Sequence, residues 1–410
     1  MQILYMTHRL PYPPDKGERI RAFYQLRHLT ARHEVDLFCF ADSRAHAENQ
    51  RFLQGMCRNV YAEILGTPVR IQHAIGNLVT GRPMSFGFFR SQQFHREIRR
   101  ALNRCSYDVI FVSCSSMGQY IAWPAPAPVV IDFVDADSHK FRQYAAGSSL
   151  FRRWLYTREA RTVAVAEQSL GRQAAASIAI SGRDARELGG GGPTGFPIEI
   201  LPNGVHVPNV ADAEDQSEFR EMKPFALFLG TMNYPPNSDA AVYFAREIFP
   251  LVRKTEPRLR FVIVGRHPDR RVRELAAIPG VLIKEAVPDA FRYFRNADVT
   301  VAPFRISQGF HNKIAESVAV GTPVVTTSRA MEGIGLSERD GLFVADSPDD
   351  FAQKVVLVLK DPGLRDRLRQ KASSVQQRLS WDISLSKLEQ LIVQVAVRNS
   401  RLSRELVVEH

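Results

Sequence analysis

Long apolar runs are missing from this chain of 410 residues. No stretch approaches the ~18 apolar residues of a membrane-spanning helix, and the first apolar run is soon interrupted by His8, Arg9 and the prolines Pro11, Pro13 and Pro14. The pattern predicts no transmembrane helix and no signal peptide. Cysteine is scarce: the four present, Cys39, Cys57, Cys105 and Cys114, lack the spacing of a metal site. Cys39 and Cys114 fall inside apolar runs, so the set reads as reduced, structural thiols of a cytoplasmic protein. Acidic residues are also the minority, with 43 Asp and Glu against 54 Lys and Arg, for a formal net charge of +11. Much of the deficit lies where Arg70, Arg82, Arg90, Arg96, Arg99, Arg100 and Arg104 stand against Glu97 alone, around the apolar run Pro83–Phe89. That combination suits an anionic membrane surface, or else buried phenylalanines under a solvated arginine face. No nucleic-acid-binding module accompanies the charge, so nucleic acid is not an expected partner.

Hydrophobic residues at 45% and charged residues at 24% describe a globular protein whose length exceeds one ordinary core. Two series of apolar runs alternate with helical patterns. The first comprises Ile3–Thr7, Val35–Ala41, Tyr61–Leu65, Asp108–Cys114, Val129–Val134, Ser177–Ser181 and Ile198–Leu201. The second comprises Phe225–Leu229, Arg260–Val264, Val281–Lys284, Val299–Ala302, Val324–Thr327 and Leu342–Val344. Near-continuous apolar strands separated by helices indicate parallel sheets covered on both faces. The expected fold class is α/β, with two Rossmann-like domains and a cleft between them. We place the first domain at 1–204, a polar linker at 205–222, the second domain at 223–380, a crossing helix at 381–400 and a tail at 401–410.

The segment Val301–Val325, VAPFRISQGFHNKIAESVAVGTPVV, carries the most chemistry. A strand runs into a cationic, glycine-containing loop, and a helix from about Lys313 to Val320 follows. Such a layout aims backbone N–H groups and the positive end of a helix dipole at an anion. Glu316 lies one turn deeper, where a carboxylate could accept hydrogen bonds from sugar hydroxyls or simply be a surface charge.

The ordered set Ile3–Arg21, Val130–Tyr144, Leu229–Asn237, Phe261–Pro268 and Val301–Val325 resembles the GT-B glycosyltransferases of family 4. Within them it resembles the sugar transferases of exosortase-associated exopolysaccharide clusters. The resemblance implies a GT-B fold and a retaining transfer, without a metal cofactor, from a UDP- or GDP-sugar to a polysaccharide or lipid-linked acceptor at the inner face of the membrane. It places Glu316 on the ribose hydroxyls. A diphosphate needs cations and unpaired N–H groups, for which Arg305, Lys313 and the amides of Gly309, Phe310 and His311 are candidates. Strand ends would bring Gly230, Met232, Asn233, Arg266 and Val287 to the donor, with Asn312 opening the helix.

Two positions depart from the family pattern. Gln308 stands where a glutamate usually contacts the transferred sugar, and Thr231-Met232-Asn233 replaces the frequent Arg and Lys pair after Gly230. Asp15 and Glu18 read as a capping box, which would put Lys16, Gly17 and Arg19 in a first helical turn facing an acceptor or merely in solvent. Asp135, Asp137 and His139 follow a strand end, where they could position an acceptor hydroxyl or contact the donor sugar. Alternatively, Asp137 caps a long helical stretch, Lys140–Ala176, and His139 is an exposed first-turn residue. An Asp-x-Asp metal site of the GT-A kind is disfavoured, because a second domain with its own anion-type helix start follows. Glu159 and Glu167 read as structural, and Asn203 resembles the family's interdomain turn. The rival readings are a nucleotide-sugar epimerase or hydrolase on the same fold, and a non-catalytic sugar-nucleotide-binding protein.

Overall fold

Apolar runs of three to seven residues in this chain become strands, the central ones covered on both faces. β1 (Gln2–Thr7), β2 (Glu34–Ala41), β3 (Asn59–Ile64), β4 (Val109–Ser113), β5 (Val129–Asp132), β6 (Ala176–Ala179) and β7 (Ile198–Ile200) form one parallel sheet. Its order is β3-β2-β1-β4-β5-β6-β7. The second sheet holds β8 (Phe225–Leu229), β9 (Arg260–Val264), β10 (Val281–Lys284), β11 (Val299–Ala302), β12 (Val324–Thr326) and β13 (Leu342–Val344), again parallel, in the order β10-β9-β8-β11-β12-β13. Every one of the thirteen apolar runs is a strand. In β4 and β11 every residue is buried, and each such Val, Ile or Phe contributes about 1.5–3 kcal/mol by leaving water. The edge strands β3 and β7 are only partly covered.

The chain, seen in a computed structural model, is described for residues 1–14, 17–41, 47–146, 148–189, 195–207, 217–285, 287, 289–306, 310–331 and 334–408. It divides into one unit of Met1–Pro202 with Ser384–His410 and another of Asn203–Ile383. The last helix, Trp381–Val408, includes most of the segment set apart as a tail. Within the first unit its Glu389 meets His28 at 2.9 Å and Arg32 at 3.5 Å. The long helical stretch expected over Lys140–Ala176 is instead two helices, Asp137–Ala146 and Leu150–Gln173. The second starts at an N-cap Ser149, a residue type that favours helix starts over helix interiors.

In both sheets the order reverses direction beside the first strand, between β1 and β4 and between β8 and β11. Open α/β sheets hold ligands beyond the carboxyl ends of the strands at that point. Two buried ionic groups brace the first unit. Arg21, 1% exposed, donates to Asp132 through Nε at 2.7 Å and Nη2 at 3.2 Å, and to the Leu201 carbonyl at 2.9 Å. Gln25 completes this network, donating to Asp132 and accepting from the Tyr5 hydroxyl. Glu159 accepts from the amides of Met84 and Ser85 at 2.8 Å each, satisfying the start of a short helix. Its neighbour Arg158 donates to the carbonyls of Asn77, Leu78 and Arg82.

Candidate active site

In the second unit, β8 ends at Leu229 and β11 at Ala302, and the loops beyond them converge on Lys313. Two glycines make that approach feasible. A Cβ on Gly265 would lie 1.7 Å from the Gly230 carbonyl oxygen, and one on Gly230 would lie 2.8 Å from Lys313 Nζ. At Gly265 no side chain fits, and at Gly230 one would displace the ends of the Asn237 and Lys313 side chains. Helix Asn312–Ala319 carries Lys313 in its first turn and Glu316 one turn on, so both face the same side.

The Lys313 ammonium is held by three groups. It donates to Asn237 Oδ1 at 2.6 Å, and its Nζ lies 4.8 Å from the ring centres of both Phe228 and Phe304. Asn237 is itself fixed, donating to the Thr231 carbonyl at 3.0 Å. Burial disfavours the charged form and pulls Lys313 down to about 7, against the opposing charge of Glu316. Burial likewise pushes Glu316 up to about 7, against the pull of Lys313. Among the described residues the Glu316 carboxylate makes no hydrogen bond, which leaves its oxygens open to a ligand. His311 stacks on Phe304 with ring centres 4.4 Å apart, forming one wall beside the helix start.

Asn237 is a residue that sequence reading missed, and it holds the Lys313 ammonium in place through its side-chain oxygen. Asn237→Asp would put a carboxylate on the ammonium, keeping it protonated to higher pH. The expected result is an alkaline limb of the pH–rate profile moved up by about one unit, with weaker donor binding because the charge is already neutralised. An unmoved limb in Asn237→Asp would show that Lys313 does not control it.

The other donor-side candidates divide. Arg305 turns to helix Pro235–Tyr243, donating to Asp239 at 3.0 and 2.5 Å and lying 4.5 Å from the Tyr243 ring centre. Asp239 also raises its pKa. Arg305 and Lys313 thus hold two positions of the same helix, Asp239 and Asn237. Met232 is 0% exposed in the hydrophobic core, so only its backbone reaches the loop, where its amide donates to the Arg266 carbonyl at 2.9 Å. Asn233 is exposed. Val287 packs against the smaller core cluster of the second unit, Phe310 rests partly buried on the larger one, and Asn312 accepts from Asn203 at 3.3 Å. Gln308 and Gly309 lie outside the described residues.

In the first unit the strand ends carry a denser set of charges. Cys114 and Val134, just beyond β4 and β5, have φ of 81° and 64°, a costly conformation for a β-branched residue and one that gathers at functional edges. Asp137 accepts from Lys140 at 3.1 Å and from Ser115 at 3.4 Å. Burial and the Asp184 carboxylate push Asp135 up, and burial pushes Glu167 up to about 8. Burial also pulls His8, just past β1, down to about 4, so it is neutral at physiological pH. His139 has both ring nitrogens engaged, Nδ1 with Glu187 at 3.1 Å and Nε2 with Gln143 at 2.6 Å and Arg183 at 3.0 Å. Those contacts tie helix Asp137–Ala146 to helix Gly182–Glu187. Asp132 spends both oxygens on Arg21 and Gln25, so it belongs to the buried network of the first unit. Gly17 is the exposed first residue of helix Gly17–Thr30, Glu18 pairs with Arg9 at 3.1 Å, and Arg19 is 6% exposed. Asp15 and Lys16 lie outside the described residues.

The same two-part layout is found in known proteins. A family profile described as Glycosyltransferase Family 4 matches residues 19–207, and one described as Glycosyl transferases group 1 matches residues 223–361. A phosphatidyl-myo-inositol mannosyltransferase of Mycobacterium leprae is 24% identical over 329 residues, covering 76% of this chain and 80% of that protein. Its counterpart in Mycolicibacterium smegmatis is 30% identical over 189 residues, 45% of this chain and 48% of that protein. Among solved structures, sucrose-phosphate synthase from Thermosynechococcus elongatus superposes with a TM-score of 0.67 at 15% identity over 100% of both chains. Anabaena HepE, in complex with UDP and glucose, gives 0.67 at 13% identity over 96% of this chain and 100% of that one. The strand order, the ordered pair of profiles and these relatives together identify the chain as a glycosyltransferase of family 4 with the GT-B fold.

Proposed function

We propose that this glycosyltransferase moves a sugar, with retention at the anomeric carbon, from a UDP- or GDP-sugar to a saccharide or lipid-linked acceptor. The observation that carries the reading is the Lys313 and Glu316 pair at the reversal point of the second sheet, one a caged ammonium and the other a carboxylate without a hydrogen bond among the described residues. Lys313 and the start of its helix meet the charge that grows on the departing diphosphate, and Glu316 accepts from the ribose hydroxyls. The acceptor hydroxyl is met at the carboxyl ends of β1, β4 and β5, where Asp137 and Lys140 lie. Charge stabilisation by Lys313 needs no metal. Two relatives named as phosphatidyl-myo-inositol mannosyltransferases support a lipid-linked acceptor, and the neighbour holding UDP and glucose supports a nucleotide-sugar donor. A place among the exosortase-associated transferases, and so in exopolysaccharide assembly, rests on the ordered sequence segments.

Release of nucleoside diphosphate from a panel of UDP- and GDP-sugars, with and without lipid-linked saccharide acceptors, tests the reading. Transfer predicts release that rises with acceptor and a product of unchanged anomeric configuration. Release indifferent to acceptor would point to hydrolysis or epimerisation.

A further inference from the structure

The basic stretch around Pro83–Phe89 does not present its phenylalanines as one exposed run: Phe86 is buried and Phe89 packs against the core of the first unit. The exposed apolar surface lies on the two helices beside it. Helix Thr67–Val79 turns Ile71, Ile75 and Val79 outward at four-residue intervals, 47%, 54% and 81% exposed. Helix Leu150–Gln173 opens with Leu150, Phe151 and Trp154, 86%, 73% and 56% exposed, the last two stacked on each other. Arg158, one turn beyond Trp154, donates to the Asn77 and Leu78 carbonyls, so the end of the first helix lies against the third turn of the second. Single exposed apolar residues are ordinary, but six on two joined helices form a patch.

The charges around the patch have one sign. No Asp or Glu occurs from residue 64 to 96 or from 138 to 158. Glu159, the next acid, is buried on the Met84 and Ser85 amides. Arg82, Arg152 and Arg153 are exposed, and Arg152 and Arg153 make no ion pair among the described residues. An apolar face whose own segments carry arginines and no acids matches a bilayer of anionic lipid: acyl boundary for the aromatics, headgroup charge for the guanidinium groups. A second copy of this chain is a poorer occupant, because a two-fold contact would bring the same arginines together.

We propose that Ile71, Ile75, Val79, Leu150, Phe151 and Trp154, with Arg82, Arg152 and Arg153, form a docking face for an anionic membrane surface. The proposal goes beyond the transfer reaction and does not depend on which sugar is moved. Docking is tested by sedimentation with phosphatidylcholine vesicles, with and without phosphatidylglycerol, and by tryptophan emission. The wild type is expected to bind only the anionic vesicles, with a blue-shifted emission from Trp154. Phe151→Ser with Trp154→Ser is expected to lose roughly tenfold or more in vesicle binding, since two large apolar side chains no longer leave water. Arg152→Glu with Arg153→Glu is expected to lose binding most at low salt, where screening is least. Both variants should keep the wild-type melting temperature and the wild-type response to nucleotides, which separates this proposal from the transferase reading. Failure of the wild type to bind anionic vesicles, undiminished binding in both variants, or a wild-type dimer that the serine substitutions dissociate would each overturn it.

Discussion

Lys313→Ala is expected to lower kcat by roughly 10²–10³-fold, the usual effect of removing one group aimed at charge that develops in a transition state. Glu316→Ala is expected to act mainly through donor KM if the carboxylate holds ribose, with nucleoside diphosphate weakened along with the sugar nucleotide. Arg305→Ala should cost less than either, because its guanidinium is already spent on Asp239. Steady-state kinetics on the three variants check the order. An Arg305→Ala defect as deep as that of Lys313→Ala would mean that Arg305 leaves Asp239 for the diphosphate.

The pH dependence follows from the same pair. Lys313 is depressed to about 7 and Glu316 raised to about 7. Above pH 7 the free protein loses the ammonium, so a diphosphate must bring a proton with it and its affinity falls as pH rises. Below pH 7 the carboxylate gains a proton and accepts fewer hydroxyl hydrogen bonds. Donor binding is therefore expected to be tightest near neutrality. For stability the signs are opposite in the two windows. Between the unfolded and folded values of Glu316, from 4.5 to about 7, the native state holds the extra proton and stability falls with rising pH. From about 7 to 10.5 the unfolded state holds the extra proton at Lys313, and stability recovers.

The largest stability effect is expected at Asp132. Asp132→Ala leaves the Arg21 guanidinium buried without its carboxylate, and breaking a buried pair in this way costs about 3–5 kcal/mol. Both side chains are nearly inaccessible, at 2% and 0% exposure. Arg21→Met with Asp132→Leu removes both charges and should recover most of that loss. Urea denaturation of the single and double variants checks it, with a double variant less stable than Asp132→Ala as the contrary result.

The fold was legible because parallel strands covered on both faces leave continuous apolar runs in the sequence. The break between helices Asp137–Ala146 and Leu150–Gln173 was less legible, since the helical pattern continues on either side of it. The candidate site was legible only in part. Lys313 and Glu316 stand out because a strand, a glycine-containing loop and a helix follow one another locally. What surrounds them comes from far away: Asn237 is 76 residues from Lys313 and Asp239 is 66 from Arg305. The Arg21 and Asp132 pair spans 111 residues, and no spacing rule links such partners. Met232 shows the converse limit. It follows a strand-end glycine as a loop residue would, yet its side chain fills the core, and its backbone still pairs with the segment beyond β9 through the Arg266 carbonyl.

Thermal unfolding with UDP, GDP and ADP and their sugars, on wild type and on Glu316→Ala, tests the donor site most directly. A ligand at 100 times its dissociation constant stabilises the fold by about 2.7 kcal/mol. The account predicts a raised melting temperature with UDP or GDP ligands that Glu316→Ala loses in large part. Unchanged melting temperatures across the whole panel, or an equal rise in Glu316→Ala, would contradict it.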